Sequence, residues 1–129
     1  MIGEEVEYSL LKAAEAENLR ITEFTVAPYV SEGRGKSYHE WFIEFENQPA
    51  DLRQLAQQID ENLRGKNVYY DDLIRGNILE PLKIRVVRKN GFIDYMKSVG
   101  KLGGQNKVPR LSNDRRIAEE LLKWTTGDR

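Results

Sequence analysis

Hydrophobic positions recur along the chain with two different spacings, and these divide it into helices and strands. Apolar residues three and four apart are typical of one face of a helix, whereas alternating or β-branched and aromatic runs are typical of strands. The helical spacing is found over 3–17, 49–65, 67–75, 92–99 and from 113 onward, and the strand pattern over 21–27, 39–45 and 82–88.

The order of these elements predicts a single α+β domain over residues 1–129. We expect a small, mostly antiparallel sheet of about three to four strands with helices packed on it, in a two-layer or sandwich-like arrangement. The first two strands should be antiparallel neighbours, with Trp41 and Ile43 on one face and Glu40 and Glu44 on the other. Pro28 should end the first strand, and Gly65 should form the C-terminal cap of the second helix.

The composition narrows the class of protein. The chain contains no cysteine, so it has no disulfide framework and no thiolate nucleophile. No apolar run approaches the roughly 18–20 residues of a membrane span, and the acidic start lacks the pattern of a signal peptide. We therefore expect a soluble, cytoplasmic protein that does not associate with membranes.

Charge is distributed unevenly along the chain. The net charge of −1 argues against general nucleic-acid binding, which draws on a broad positive field. The stretch 82–116 nevertheless holds ten Lys and Arg against two acidic residues. A neutral protein with one cationic third suggests a local anion site or an interface.

Self-contained catalytic motifs do not occur in this sequence. Neither the P-loop pattern nor the dinucleotide-binding pattern of glycines is present. With one histidine and no cysteine, no zinc constellation is expected, and no metal site is predicted. His39 lies in a strand beside aromatic residues, so we interpret it as structural.

One loop, between 97 and 110, combines three ingredients of a binding site. Glycines permit close approach to a ligand, amides provide directional hydrogen bonds, and cations suit phosphate or carboxylate oxygens. The residues that provide them are Gly103, Gly104, Gln105, Asn106, Lys101, Lys107 and Arg110. By composition alone, an ordinary solvent loop after a helix cap explains the same pattern.

Four segments resemble the C-terminal domain of the auxin-responsive acyl-acid amido synthetases, in the same order. The segment 103–110, Gly-Gly-Gln-Asn-Lys-Val-Pro-Arg, is similar to that family's C-terminal motif of a small-residue pair followed by Gln-x-Lys-x-Pro-Arg. The segments 21–28, 39–45 and 81–87, the last followed by Gly91-Phe92, resemble upstream parts of the same domain. The resemblance covers nearly the whole chain and is closer to bacterial than to plant members.

The resemblance implies membership of the adenylate-forming superfamily. In such enzymes a carboxylic acid and ATP, with Mg²⁺, give an acyl-adenylate and pyrophosphate. The amine of an amino acid then attacks the acyl-adenylate to give an amide and AMP. A small C-terminal domain swivels over the large one and delivers a lysine to the reacting phosphate. Lys107 is the candidate for that lysine, with Arg110, Gln105 and Asn106 supporting the loop and Lys101 as a weaker candidate.

The large N-terminal domain, which holds the ATP motifs and the acyl pocket in this family, is the expected partner and is absent from the chain. We therefore expect the isolated chain to bind no cofactor and to be inactive, because a lysine without its substrate platform loses the benefit of positioning. The alternative hypothesis is a stand-alone, non-catalytic interaction module that binds another protein or forms a homodimer. Nucleic-acid binding is not expected, because the strand 82–88 lacks the aromatic pair that stacks bases.

Overall fold

The structure is a computed structural model that describes residues 1–30, 37–100 and 108–126. Its helices and strands follow in the order α1 (Gly3–Ala16), β1 (Ile21–Tyr29), β2 (Tyr38–Phe45), α2 (Leu52–Lys66), α3 (Val68–Arg75), β3 (Lys83–Val87), α4 (Gly91–Ser98) and α5 (Arg116–Leu121), with a 3₁₀ turn over Leu122–Trp124. The predicted α+β class is confirmed.

The sheet has the strand order β1-β2-β3 and is mixed. As predicted, β1 and β2 are antiparallel, with Val26 opposite Trp41. The third strand lies parallel to β2, with Trp41 opposite Ile84. A parallel neighbour requires a long crossover, and α2 and α3 provide it between β2 and β3.

Helices cover both faces of the sheet, so the domain is the sandwich form of the predicted architecture. On one face, α1, α2 and α3 enclose a core that contains Trp41 and Ile43. On the other face, α4 and α5 enclose a second core around Phe42. A strand buried on both sides explains why Glu40 and Glu44, which share the face of Phe42, are themselves buried.

Two local predictions are wrong, for identifiable reasons. Pro28 does not end β1 but lies within it, opposite His39. Proline is tolerated there because β1 is an edge strand and the missing N–H faces away from β2. Gly65 is not a cap but an internal residue of α2, whose C-terminal cap is Asn67. The same Asn67 side chain accepts a hydrogen bond from the Tyr70 amide and so begins α3.

Candidate functional site

The predicted site falls mostly on a part of the chain that the structure does not describe. Arg110 lies in the described part, and its surroundings are given below. The other predicted site residues lie outside the described residues: Lys101, Gly103, Gly104, Gln105, Asn106 and Lys107. The structure does describe the two segments that enter and leave this stretch.

The entering segment is α4, which is fixed to the sheet at its first turn. The carboxylate of Glu44 on β2 accepts hydrogen bonds from the amides of Asn90, at 2.8 Å, and Phe92, at 3.2 Å. A buried carboxylate at this position accepts hydrogen bonds from amides at the start of the helix. Its negative charge is stabilised by the positive end of the helix dipole. At the other end, Gly100 adopts a left-handed φ of 70°, which is typical of the residue that ends a helix.

The leaving segment, 108–112, lies along the outer edge of β1. Val108 is buried in the second core. The hydroxyl of Thr25 donates to the carbonyl of Pro109 at 2.5 Å, and the amide of Val26 donates to the carbonyl of Arg110 at 3.0 Å. The amide of Ser112 donates to the carbonyl of Val26 at 2.8 Å. The chain that follows Lys107 is therefore tied to the sheet from its first residue.

The side chain of Arg110 turns back to the sheet. Its Nη1 pairs with the carboxylate of Glu23 and donates to the carbonyl of Phe24 at 3.3 Å. The guanidinium also lies over the ring of Phe24, 4.3 Å from its centroid. The two charged side chains are 30% and 23% exposed, so the pair is only partly screened by water.

A second ionic cluster, which the sequence did not indicate, surrounds Glu40. This carboxylate is 3% exposed and accepts from Arg85 Nε and from Arg115 Nη1, each at 2.6 Å. Arg115 also pairs with Glu119 on α5. The signal available in the sequence was an acidic residue inside an aromatic strand, which is costly to bury unless cations neutralise it.

These pairs change the interpretation of the cationic stretch 82–116. Several of its arginines are ion-paired within the domain, some of them with acids far away in sequence. Distant acids pair with Arg85, Arg110 and Arg115, whereas the nearby acids Asp94 and Asp114 pair with Arg88 and Arg116. The partly buried pairs of Arg85, Arg110 and Arg115 therefore stabilise the fold, and the predicted anion site would depend on the lysines of 101–107.

Within residues 1–30, 37–100 and 108–126, no group of three or more His, Cys, Asp or Glu side chains is arranged to hold a metal ion. In the same ranges, no helix has the length and apolar content needed to cross a bilayer.

Comparison with solved structures identifies the class of fold. The chain is similar to "GH3.15 acyl acid amido synthetase", with a TM-score of 0.76 and 18% identity over 95% of this chain. It is also similar to "AtGH3.15 acyl acid amido synthetase in complex with 2,4-DB", with a TM-score of 0.72 and 16% identity over 95% of this chain. The chain spans only 24% of either matched protein. It therefore has the fold of a domain found in acyl acid amido synthetases.

The family follows from the sequence pattern of that domain. Residues 4–116 match the GH3 family C-terminal domain, so the chain belongs to the GH3 family and is its C-terminal domain. The resemblance predicted from the four segments is confirmed, whereas the closer relation to bacterial members stays a prediction. No curated protein sequence matches the chain.

Proposed function

We propose that this domain is the lid of an ATP-dependent acyl acid amido synthetase that works in the cytoplasm. In this reaction a carboxylic acid is adenylated with release of pyrophosphate, and an amino acid amine then displaces AMP to form an amide. The observation that carries the proposal is the match of 4–116 to the GH3 C-terminal domain. The partner would be the large N-terminal adenylating domain, since the matched synthetases are about four times as long as this chain.

In this proposal Lys107 is the catalytic group. Adenylation brings a carboxylate against a polyphosphate, so a cation placed at the reacting phosphate lowers the energy of the transition state. Lys101 is the second candidate for this role. The glycines at 103 and 104 would let the backbone approach the nucleotide, and the amides of Gln105 and Asn106 would hold the loop.

The described residues bear on how this lysine would be positioned. Glu44 fixes the helix that leads into 101–107, and Val108 and Thr25 fix the chain that leaves it. Both ends of the stretch are thus attached to the same small sheet. Such an attachment supports a catalytic role because the value of a charged group depends on how closely its position is set before the reaction.

ATP and Mg²⁺ are the cofactors of the proposed enzyme, and we assign their binding to the large domain. Among the described residues, no group of carboxylates is arranged to hold a metal, and Arg110 is paired with Glu23. Mg²⁺ would offset the phosphate charge when bound. The part left to this chain is to supply one further cation and to exclude water from the site.

The test compares Lys107→Ala and Lys101→Ala in the ligase formed with the large domain. We expect Lys107→Ala to slow adenylation, measured as ATP–pyrophosphate exchange, by a factor of roughly 10²–10³, the usual effect of losing one electrostatic contact to a transition state. Lys101→Ala is the matched control and should retain most of the activity. Full activity of Lys107→Ala, with loss in Lys101→Ala, would move the role to Lys101.

A second candidate function is an interaction module without catalysis. It is favoured by three exposed apolar side chains on and after α3, Val68, Tyr69 and Ile78, which are each at least 66% exposed. Sedimentation over a range of concentrations decides between the two. A stable homodimer that remains inactive with the large domain would support the module, and a monomer would support the lid.

A further inference from the structure

The backbone groups on the outer edge of β1 are satisfied by side chains at Phe24 and by backbone at Val26. The amide of Phe24 donates to the carboxylate of Glu23 at 3.0 Å, and the carbonyl of Phe24 accepts from Arg110 at 3.3 Å. Glu23 and Arg110 also pair with each other. The two side chains thus take both backbone groups of Phe24, as a neighbouring strand would.

The next outward positions of the same edge are closed as well. Backbone groups of alternate residues point to the same edge, so Val26 and Pro28 follow Phe24. Val26 makes two backbone hydrogen bonds to the segment 108–112. Pro28 has no N–H, and its carbonyl accepts from Arg115 at 3.3 Å. The ion pair therefore marks the point where the leaving segment is attached to the sheet.

Arg110 acts in this attachment through three contacts at once. Its backbone carbonyl binds Val26, its guanidinium binds Glu23 and Phe24, and its planar group lies on the Phe24 ring. A guanidinium used in this way has a fixed direction and a neutralised charge. To reach a phosphate it would have to leave a partly buried carboxylate without its partner, which is unfavourable.

We propose that Glu23 and Arg110 form a clamp that fixes the position from which the stretch 101–107, with Lys107, leaves the sheet, and that neither residue contacts the nucleotide. The inference rests on the proposed function and adds Glu23 as a positioning residue that acts through Arg110. The clamp holds Val108 and Pro109 in place, and Lys107 is bonded directly to Val108 in the sequence. A change in the clamp that displaces Val108 therefore also displaces the point from which Lys107 leaves the sheet.

The first experiment needs no activity and uses the 129-residue chain. Glu23→Gln keeps an acceptor oxygen for Phe24 but removes the charge that holds Arg110. The amides of Val26 and Ser112 hold the leaving segment against β1. We expect their hydrogen exchange to be on the order of tenfold faster, as for loss of a charged hydrogen bond. The matched control is Glu46→Gln, which breaks an ion pair with Arg20 on an exposed surface and should leave both amides unchanged.

The second experiment measures steady-state kinetics of the ligase formed with the large domain. For Glu23→Gln and Arg110→Lys we expect kcat of adenylation to fall roughly tenfold or more, with KM for ATP kept within about twofold, because a misplaced group costs rate and not binding. A residue with only a structural role would lower the melting temperature and leave the kcat of the folded enzyme unchanged.

The outcomes separate the clamp from the proposed function. Faster exchange together with lower kcat supports the clamp. Unchanged exchange in Glu23→Gln, or a raised KM for ATP with normal kcat in Arg110→Lys, overturns it. If the wild-type domains together show no adenylation, the proposed function fails, and the exchange measurement alone decides whether Glu23 holds Arg110.

Discussion

The carboxylate of Glu40 on β2 and the guanidinium of Arg115, at the start of α5, meet at 2.6 Å although 75 residues separate them. Arg85 on β3 reaches the other oxygen of the same carboxylate, also at 2.6 Å. One buried acid thus joins the central strand to its parallel neighbour and to the last helix. The arrangement uses two cations of the stretch 82–116 to satisfy a charge that burial alone would make unfavourable.

Replacement of Glu40 should therefore destabilise the domain strongly. Glu40→Gln keeps the shape of the side chain but leaves Arg85 and Arg115 opposite an uncharged group, and we expect a loss of about 3 kcal/mol in the free energy of unfolding. Denaturant unfolding followed by circular dichroism measures it. Glu46→Gln, in an ion pair whose side chains are 68% and 60% exposed, is the control and should change the free energy by less than about 1 kcal/mol. Equal losses of unfolding free energy in the two variants would show that the buried cluster contributes no more to stability than an exposed ion pair.

Two glycines should respond in opposite ways to alanine. A Cβ on Gly91 would lie 2.5 Å from Val87 Cγ1 and 3.3 Å from Trp124, so Gly91→Ala should cost about 1–3 kcal/mol through overpacking. A Cβ on Gly65 would meet no described atom within 4 Å beyond its own stretch of helix, so Gly65→Ala should stabilise by about 0.5–1 kcal/mol. Thermal melts of both variants measure the difference. A stabilised Gly91→Ala variant would mean that Val87 and Trp124 do not pack against the start of α4 as described.

His39 should make stability depend on pH. Burial lowers the pKa of His39 below its ordinary value of 6.5, so the unfolded chain takes up a proton at a higher pH than the folded chain. The contribution to stability is complete above about pH 6.5 and is lost as the pH falls through the lower folded pKa, with a slope of at most about 1.4 kcal/mol per pH unit.

Denaturant unfolding at several pH values between about 7.5 and 5 measures this slope. His39→Gln, which does not titrate, is the matched variant and should show a flatter profile. The ring of His39 lies 6.2 Å from that of Tyr70, so loss of packing will lower the stability of the variant at every pH without changing the comparison of slopes. A slope of the same size in both proteins would contradict the lowered pKa.

The elements of the fold were predictable because they depend on local pattern. Helical spacing places Leu52, Leu55, Ala56, Ile59 and Leu63 on one side of α2. Leu55, Ile59 and Leu63 are buried, whereas Leu52, in the first turn, is exposed. The alternation along β2 assigns Trp41 and Phe42 to opposite faces, and they lie in different cores. Patterns of this kind follow from the geometry of single elements and need no information about distant residues.

The partners of the charged residues were not predictable from the sequence. Alternation placed Glu40 on the face opposite Trp41, but it does not tell whether a second layer of helices covers that face. No sequence pattern indicated the partner of Arg110, whose guanidinium binds Glu23, 87 residues earlier. Its supporting role in the loop, which the resemblance implies, stays a prediction. Such pairs depend on which strand lies at the edge of the sheet and which segment packs against that edge. The strand order decides both, and it cannot be read from local sequence patterns.

The central claim is that this domain completes an active site that the large domain holds. ATP–pyrophosphate exchange in three samples tests it most directly: this chain alone, the large domain alone, and the two together with a carboxylic acid substrate. The account predicts rapid exchange in the third sample and little or none in the first two. Equal exchange with and without this chain would contradict it.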